Sequence, residues 1–221
     1  MVKTAVILHG WGSRLSRWQP LVKQLLSSGL KVVLPHLPED KARNTADFAD
    51  WFDQKTKILA PFFLIGHSFG GQVAINFAAR YPKRVKKLIL ISSAGIRRPN
   101  LKSRLLKGPA KLLKGLAGQR LKQLLYRLIG ATDYIQASPV MKATFKIIVR
   151  EDQQQNLKQI LAPVLLLWGQ HDRYTPLGHG RLMQALLPKG QLIIFPDGKH
   201  GLPFTHVTQL KEKILWFIGS K

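Results

Sequence analysis

The chain is expected to fold as one α/β domain, an open and mostly parallel sheet with helices on both faces and a helical insertion. Three observations carry this expectation. Short apolar runs alternate with helical patterns at both ends of the sequence. Those runs are apolar at consecutive positions, which suits strands covered on both faces. The alternation then stops over residues 94–162, where only helical patterns occur.

The elements follow in chain order. The first strand is Lys3–Leu8, closed by the turn signal His9-Gly10, and the second is Lys31–Leu34, closed by Pro35. Between them Pro20 suits the first turn of a helix, where its missing N–H is not needed. Leu21, Val22, Leu25 and Leu26 share a face of that helix, and Gly29 ends it. Phe48, Trp51, Phe52 and Lys55 recur at helical spacing before a third strand, Phe62–Ile65. Val73, Ala74, Phe77 and Ala78 mark the next helix, and Val85–Ile91 the fourth strand. The insertion is broken by Gly108-Pro109, Gly115, Gly118 and Gly130, with a fresh helix start at Ser138-Pro139. Val164–Trp168 and Leu192–Phe195 resume the strands, and Val207, Leu210, Ile214 and Phe217 form a last helix face. The boundaries are therefore a core of residues 1–93 and 163–221 and an insertion of residues 94–162.

A length of 221 residues suffices for one full core, and 45% apolar content is that of an ordered globular chain. There is no cysteine. That excludes disulfide scaffolds and thiolate metal sites and agrees with a reducing compartment. The apolar stretch in MVKTAVILHG is too short for a signal-peptide core or a membrane span, so a cytoplasmic location is expected.

Charge is lopsided, with 35 Lys and Arg against 11 Asp and Glu. No acidic residue lies between Asp53 and Asp133, a gap holding 17 basic ones. Such a field attracts anionic partners. Ten of these cations fall between Arg97 and Arg127, interleaved with leucines at helical spacing, the pattern of cationic amphipathic helices. Three readings stay open: leucines that cover a pocket beneath a solvated basic face, docking on an anionic membrane surface, or an acidic protein or substrate as partner. Lys102, Arg104, Lys107, Lys111 and Lys114 would make that contact. Nucleic acid fits least, because Tyr126 is the stretch's single aromatic and no binding-module motif is present.

The sharpest chemical signal is Gly66-His67-Ser68-Phe69-Gly70-Gly71, directly after a strand and before a helix. This is a G-x-S-x-G elbow in its required context. The turn is too tight for side chains at its glycines, and it holds the serine in a strained conformation that exposes its hydroxyl. A serine hydroxyl cannot attack unaided, so a base and an orienting carboxylate are needed. Asp172 follows the strand Val164–Trp168, and His200 follows the strand Leu192–Phe195. All three residues thus stand at carboxyl ends of strands, in the order Ser68, Asp172, His200. Asp197 and His171 compete for these roles. Asp197 is expected to bond backbone in its own turn, and His171 to serve the turn beside Asp172. His67 is expected to be packed or hydrogen-bonded, and His36, His179 and His206 to be surface or structural. For an oxyanion, the glycine-rich turn His9-Gly10-Trp11-Gly12 offers the backbone N–H of Trp11, to pair with that of Phe69.

HGWG, GHSFGG, PVLLLWGQHDRYTP and DGKHGLPF together resemble the α/β-hydrolase superfamily, in its compact, capped branch of esterases and related enzymes. The resemblance spans Lys3 to Ile218 and is weakest in the insertion. It implies the Ser68–Asp172–His200 triad, an oxyanion hole at Trp11 and Phe69, a helical cap formed by the insertion, and neither cofactor nor metal. HGWG with a basic cap is similar to esterases that act on acyl carrier proteins. Two departures stand out. The chain begins at the HG-bearing strand, without the usual leading β-hairpin, so a shorter sheet is expected. His36-Leu37-Pro38-Glu39-Asp40 also replaces the usual acidic, glycine-rich segment, which bears on substrate subclass. The expected activity is hydrolysis of carboxylic esters through an acyl-enzyme on Ser68. The alternatives are a carbon–carbon bond hydrolase or acyltransferase with the same triad, and a hydrolase-fold binding protein without catalysis.

Overall fold

A computed structural model describes residues 2–97 and 137–220. Its six strands are β1 (Thr4–Leu8), β2 (Lys31–Val33), β3 (Phe62–His67), β4 (Val85–Ile91), β5 (Val164–Gly169) and β6 (Gly190–Phe195). They form one sheet in the order β2-β1-β3-β4-β5-β6, and every neighbouring pair is parallel. The helices are α1 (Gln19–Ser27), α2 (Thr45–Thr56), α3 (Phe69–Arg80), α4 (Pro139–Ile148), α5 (Gln154–Gln159), α6 (Leu177–Leu186), α7 (Leu202–Thr205) and α8 (Val207–Gly219).

The consecutive apolar positions have a simple cause. Successive side chains of a strand point to opposite faces, and both faces here are covered. Val6, Leu8, Leu64, Leu88 and Leu166 pack toward α2, α3 and α6 with Phe52, Phe77 and Met183. Ala5, Ile7, Ile65, Ile89 and Leu167 pack the other way, against Leu21 and Leu25 of α1 and Leu210, Ile214 and Phe217 of α8. The helix faces read from sequence are met in part. Leu26 is 49% exposed, and Lys55 also faces solvent while Thr56 turns inward. Helix α2 starts at a capping box, with Asn44 accepting from the Asp47 N–H and Asp47 accepting from the Asn44 N–H. Helix α4 starts at the Ser138-Pro139 signal, where Ser138 Oγ accepts from the Met141 N–H at 3.1 Å.

Chain order reverses at β1, which has β2 on one side and β3 on the other. At such a switch point the loops after the strand ends diverge and leave a crevice. The turns after β1 and β3 border it. The backbone on either side of residues 98–136 comes back to one place: the Gln153 N–H donates to Gly95 O at 2.7 Å, and the Arg97 guanidinium donates to Arg150 O at 2.8 Å. Leu157 and Ile160 beyond it are fully buried in the core layer beside α3. Lys102, Arg104, Lys107, Lys111 and Lys114 lie outside the described residues. Among the described residues no helix is long and apolar enough to cross a membrane.

Candidate active site

Ser68 stands between β3 and α3 with φ 53° and ψ −120°, a conformation that non-glycine residues rarely adopt. Close packing imposes it. A Cβ at Gly70 would lie 2.1 Å from the Leu8 carbonyl oxygen, and one at Gly66 would lie 2.7 Å from the Gly71 Cα. Only glycines let α3 start this close to β1 and β3. The strained residue is held on both sides: its N–H donates to Ile91 O at 3.2 Å, and its carbonyl accepts from the Ala94 N–H at 2.9 Å.

Asp172, after β5, and His200, after β6, reach Ser68 along the same edge of the sheet. His200 Nε2 lies 3.0 Å from Ser68 Oγ, and His200 Nδ1 lies 2.9 Å from Asp172 Oδ2. The Asp172 side chain has no exposed surface. Its Oδ1 accepts from the N–H groups of Tyr174 and Thr175, both at 2.9 Å, and its Oδ2 also meets Thr175 Oγ1 at 2.8 Å. Burial pushes the Asp172 carboxyl up, but the hydrogen bond and charge of His200 and the Thr175 donors outweigh it and hold it below the usual range. An ionised Oδ2 is an acceptor only, so Nδ1 of His200 carries the proton and Nε2 faces Ser68 as an acceptor.

The other residues singled out from sequence separate cleanly. His67 is buried, with ring contacts to Trp18 and Phe204, and its Nε2 donates to the backbone carbonyl of His200 at 3.0 Å. Burial, reinforced by the nearby His200, lowers its pKa to about 3, so it is neutral. The Asp197 carboxylate bonds backbone in its own turn, as expected, and also takes the His206 imidazole at 3.2 Å. The His206 bond, with the backbone bond after it, holds Asp197 below the usual carboxylate range. His171 is an exposed turn residue whose N–H donates to Gly198 O. His36 is exposed and bonds the Leu37 carbonyl. Two features escaped the sequence reading. The Thr175 hydroxyl touches the Asp172–His200 pair, and the Tyr174 ring centroid lies 5.0 Å from that of His200. The three-residue spacing of Asp172 and Thr175 was the available signal for the first, since a carboxylate often bonds groups two and three residues on.

The His9-Gly10-Trp11-Gly12 turn lies against the elbow. A Cβ at Gly10 would stand 3.2 Å from Ser68 Cβ, and the Trp11 ring packs edge-on to Phe69 with centroids 5.9 Å apart. His9 is buried and hydrogen-bonds on both ring nitrogens: Nδ1 with Gly10 O at 2.8 Å, and Nε2 accepting from the Leu37 N–H at 3.3 Å. Burial lowers its pKa, which keeps Nε2 free to accept. This bond ties the turn after β1 to the segment after β2. Trp11, Leu37, Phe48, Phe69, Val140 and Met141 line a narrow apolar cleft. A wider groove continues from it past Gly12 and Met141 to Arg14, His36 and Glu39. Helix α4 is thus one wall of the cleft. Among the described residues no cluster of three or more His, Asp or Glu could hold a metal ion.

This arrangement can deprotonate a serine, store the proton on an imidazole and return it to a leaving group. Comparison with known proteins agrees with the fold that carries it. Residues 5–210 match the family model described as "Alpha/beta hydrolase family". The chain is 30% identical to a pimeloyl-[acyl-carrier protein] methyl ester esterase of Nitrosomonas europaea, over 90% of this chain and 88% of that protein. It is 26% identical to a 2-hydroxy-6-oxo-6-phenylhexa-2,4-dienoate hydrolase of Burkholderia cepacia, over 99% of this chain and 88% of the relative. An alpha/beta hydrolase from the metagenome of Mar Chica lagoon sediments superposes with a TM-score of 0.74 at 20% identity, covering 99% of this chain and 91% of the other. The six-stranded parallel sheet, the serine elbow and these matches together make the chain a member of the alpha/beta hydrolase family.

Proposed function

We propose that the protein hydrolyses carboxylic esters through an acyl-enzyme on Ser68. The observation that carries this reading is the continuous contact from Ser68 Oγ through His200 to Asp172, at 3.0 and 2.9 Å, beside an apolar cleft. In this reading Ser68 attacks the acyl carbonyl while His200 takes its proton. Asp172 holds the imidazole in the required tautomer and stabilises the imidazolium. The collapsing intermediate expels the alcohol, which receives the proton from His200, and water then repeats the sequence to release the acid. The N–H groups of Trp11 and Phe69 bind the oxyanion, a contribution worth about 100- to 1,000-fold per donor in comparable sites. The described part of the insertion that follows residue 136 contributes α4 as a cover on one side of the cleft.

The acyl group would lie in the cleft, whose lining is mostly apolar. The relative named for an acyl-carrier-protein methyl ester supports an acyl group delivered on a carrier protein. In that case Lys102, Arg104, Lys107, Lys111 and Lys114 dock the carrier, and an anionic membrane surface is the competing partner for the same cations. Carbon–carbon bond hydrolysis is the second reading, favoured by the relative named for a dienoate substrate.

The test is a fluorophosphonate probe together with a panel of esters of graded acyl length and one 2-hydroxy-6-oxo-dienoate. Labelling at Ser68 and turnover of esters, both lost in Ser68→Ala, are the expected result. A Ser68→Ala variant with full ester turnover would overturn the assignment. Turnover of the dienoate alone would select the second reading.

A further inference from the structure

Thr175 lies in the turn after β5 with its side chain buried and its backbone pinned. The Trp168 indole N–H donates to its carbonyl at 2.7 Å, and its own N–H is held by Asp172 Oδ1. Its hydroxyl oxygen therefore has little freedom, and it sits among three groups. Asp172 Oδ2 is 2.8 Å away, the Ser92 carbonyl oxygen 3.1 Å and His200 Nδ1 3.3 Å.

A hydroxyl has one proton to give. Nδ1 of His200 already carries a proton directed at Asp172, so toward His200 the Thr175 oxygen can only accept. Its own proton chooses between a carboxylate and a neutral carbonyl. The carboxylate is nearer, and a charge-assisted bond is the stronger one. Asp172 then has every oxygen doubly engaged, two N–H groups on Oδ1 and the His200 and Thr175 donors on Oδ2.

The Ser92 carbonyl is not placed there by accident of a loose loop. Ser92 is fully buried at the end of β4 with φ 43°, the second described non-glycine residue in the left-handed region. Its N–H donates to Leu167 O at 2.9 Å. Two residues on, the Ala94 N–H holds the carbonyl of Ser68. One short turn therefore braces the elbow on one side and presents a carbonyl to Thr175 on the other.

We propose that Thr175 is a positioning residue, whose hydroxyl sets the rotation and charge of the Asp172 carboxylate. The proposal rests on the triad reading and acts through Asp172. Without the hydroxyl, Oδ2 has His200 as its one remaining donor and the carboxylate can swing. It also carries more negative charge, which strengthens its pull on the Nδ1 proton of His200. The titratable groups facing this pair are His67 from β3, neutral down to about pH 3, and Tyr174 beside the imidazole.

The experiment compares wild type with Thr175→Val, Thr175→Ala and Thr175→Ser, using kcat, KM, the pH profile of kcat/KM and the rate of fluorophosphonate labelling. Thr175→Val keeps the shape and removes the hydroxyl, and Thr175→Ala covers the case in which valine does not pack. In both, kcat and the labelling rate should fall about 10- to 100-fold, with KM within about twofold, as for loss of one charge-assisted bond in a preorganised site. The acidic limb of the profile should move to higher pH. Thr175→Ser should restore kcat and the limb. A structural role alone would lower the melting temperature and leave the limb and the labelling rate unchanged. Wild-type rates in folded Thr175→Val or Thr175→Ala, or a Thr175→Ser variant as slow as Thr175→Val, would overturn the proposal. Absence of labelling in wild type would instead bring down the triad reading on which it rests.

Discussion

Acidification should destabilise the fold through one side chain in particular, His67. The imidazole is completely buried behind the elbow, and burial holds its pKa at about 3, whereas in an unfolded chain it titrates near about 6.5. Between those values the unfolded chain binds a proton that the folded protein refuses, so stability falls as pH falls through that window. The contribution is complete above about pH 6.5 and is lost at about 1.4 kcal/mol per pH unit below it. From about pH 7 to about pH 4.5 the loss amounts to about 2.5 kcal/mol from this residue. His9, also lowered by burial, acts in the same direction. The measurement is therefore a difference. His67→Gln places an amide nitrogen near the position of Nε2, able to donate to the His200 carbonyl, and has nothing to titrate. Urea unfolding of both proteins at the two pH values should show wild type losing about 2.5 kcal/mol more than the variant. If the two lose stability in parallel, His67 titrates alike in the folded and unfolded states, and the argument from burial is wrong.

Three further outcomes are expected. Asp172→Asn should lower ester turnover by about four orders of magnitude, as loss of the tautomer-fixing carboxylate does in serine triads, while Asp197→Asn, whose carboxylate bonds His206 and its own backbone, should stay within about threefold. The reverse ranking in steady-state assays would identify Asp197 as the orienting carboxylate. Gly70→Ala drives a methyl into the Leu8 backbone and should cost about 1–3 kcal/mol or more by urea midpoint, since backbone cannot yield as a side chain does. Glu151→Ala removes the carboxylate that accepts from the Thr45 N–H and hydroxyl and from Gln72, and should cost about 1–3 kcal/mol, with Glu151→Gln costing less.

Sequence alone determined the architecture, because the signals are local and physical. Consecutive apolar positions in Val6–Leu8, Leu64–Ile65 and Leu88–Ile91, in short runs closed by turn signals, suit a strand covered on both faces. The glycines of the elbow were legible for the same kind of reason. A serine between Gly66 and Gly70-Gly71 after a strand has few other geometries open to it. Placing Ser68, Asp172 and His200 at three strand ends followed directly, because a parallel sheet gathers those ends on one edge. Tertiary structure decided what depends on residues far apart in the chain. Asp197 keeps the backbone bond its turn suggested and adds His206, nine residues on. Leu26 keeps the helical period of α1 yet stays exposed, since the strip covered on the sheet is narrower than the apolar face. The links from the His67 ring to the His200 carbonyl, and from Thr175 to the Ser92 carbonyl, span 133 and 83 residues. No periodicity reports such contacts. They arise because the carboxyl edge of the sheet brings four loops within hydrogen-bond reach, and a buried polar atom there must take whichever partner the neighbouring loop presents.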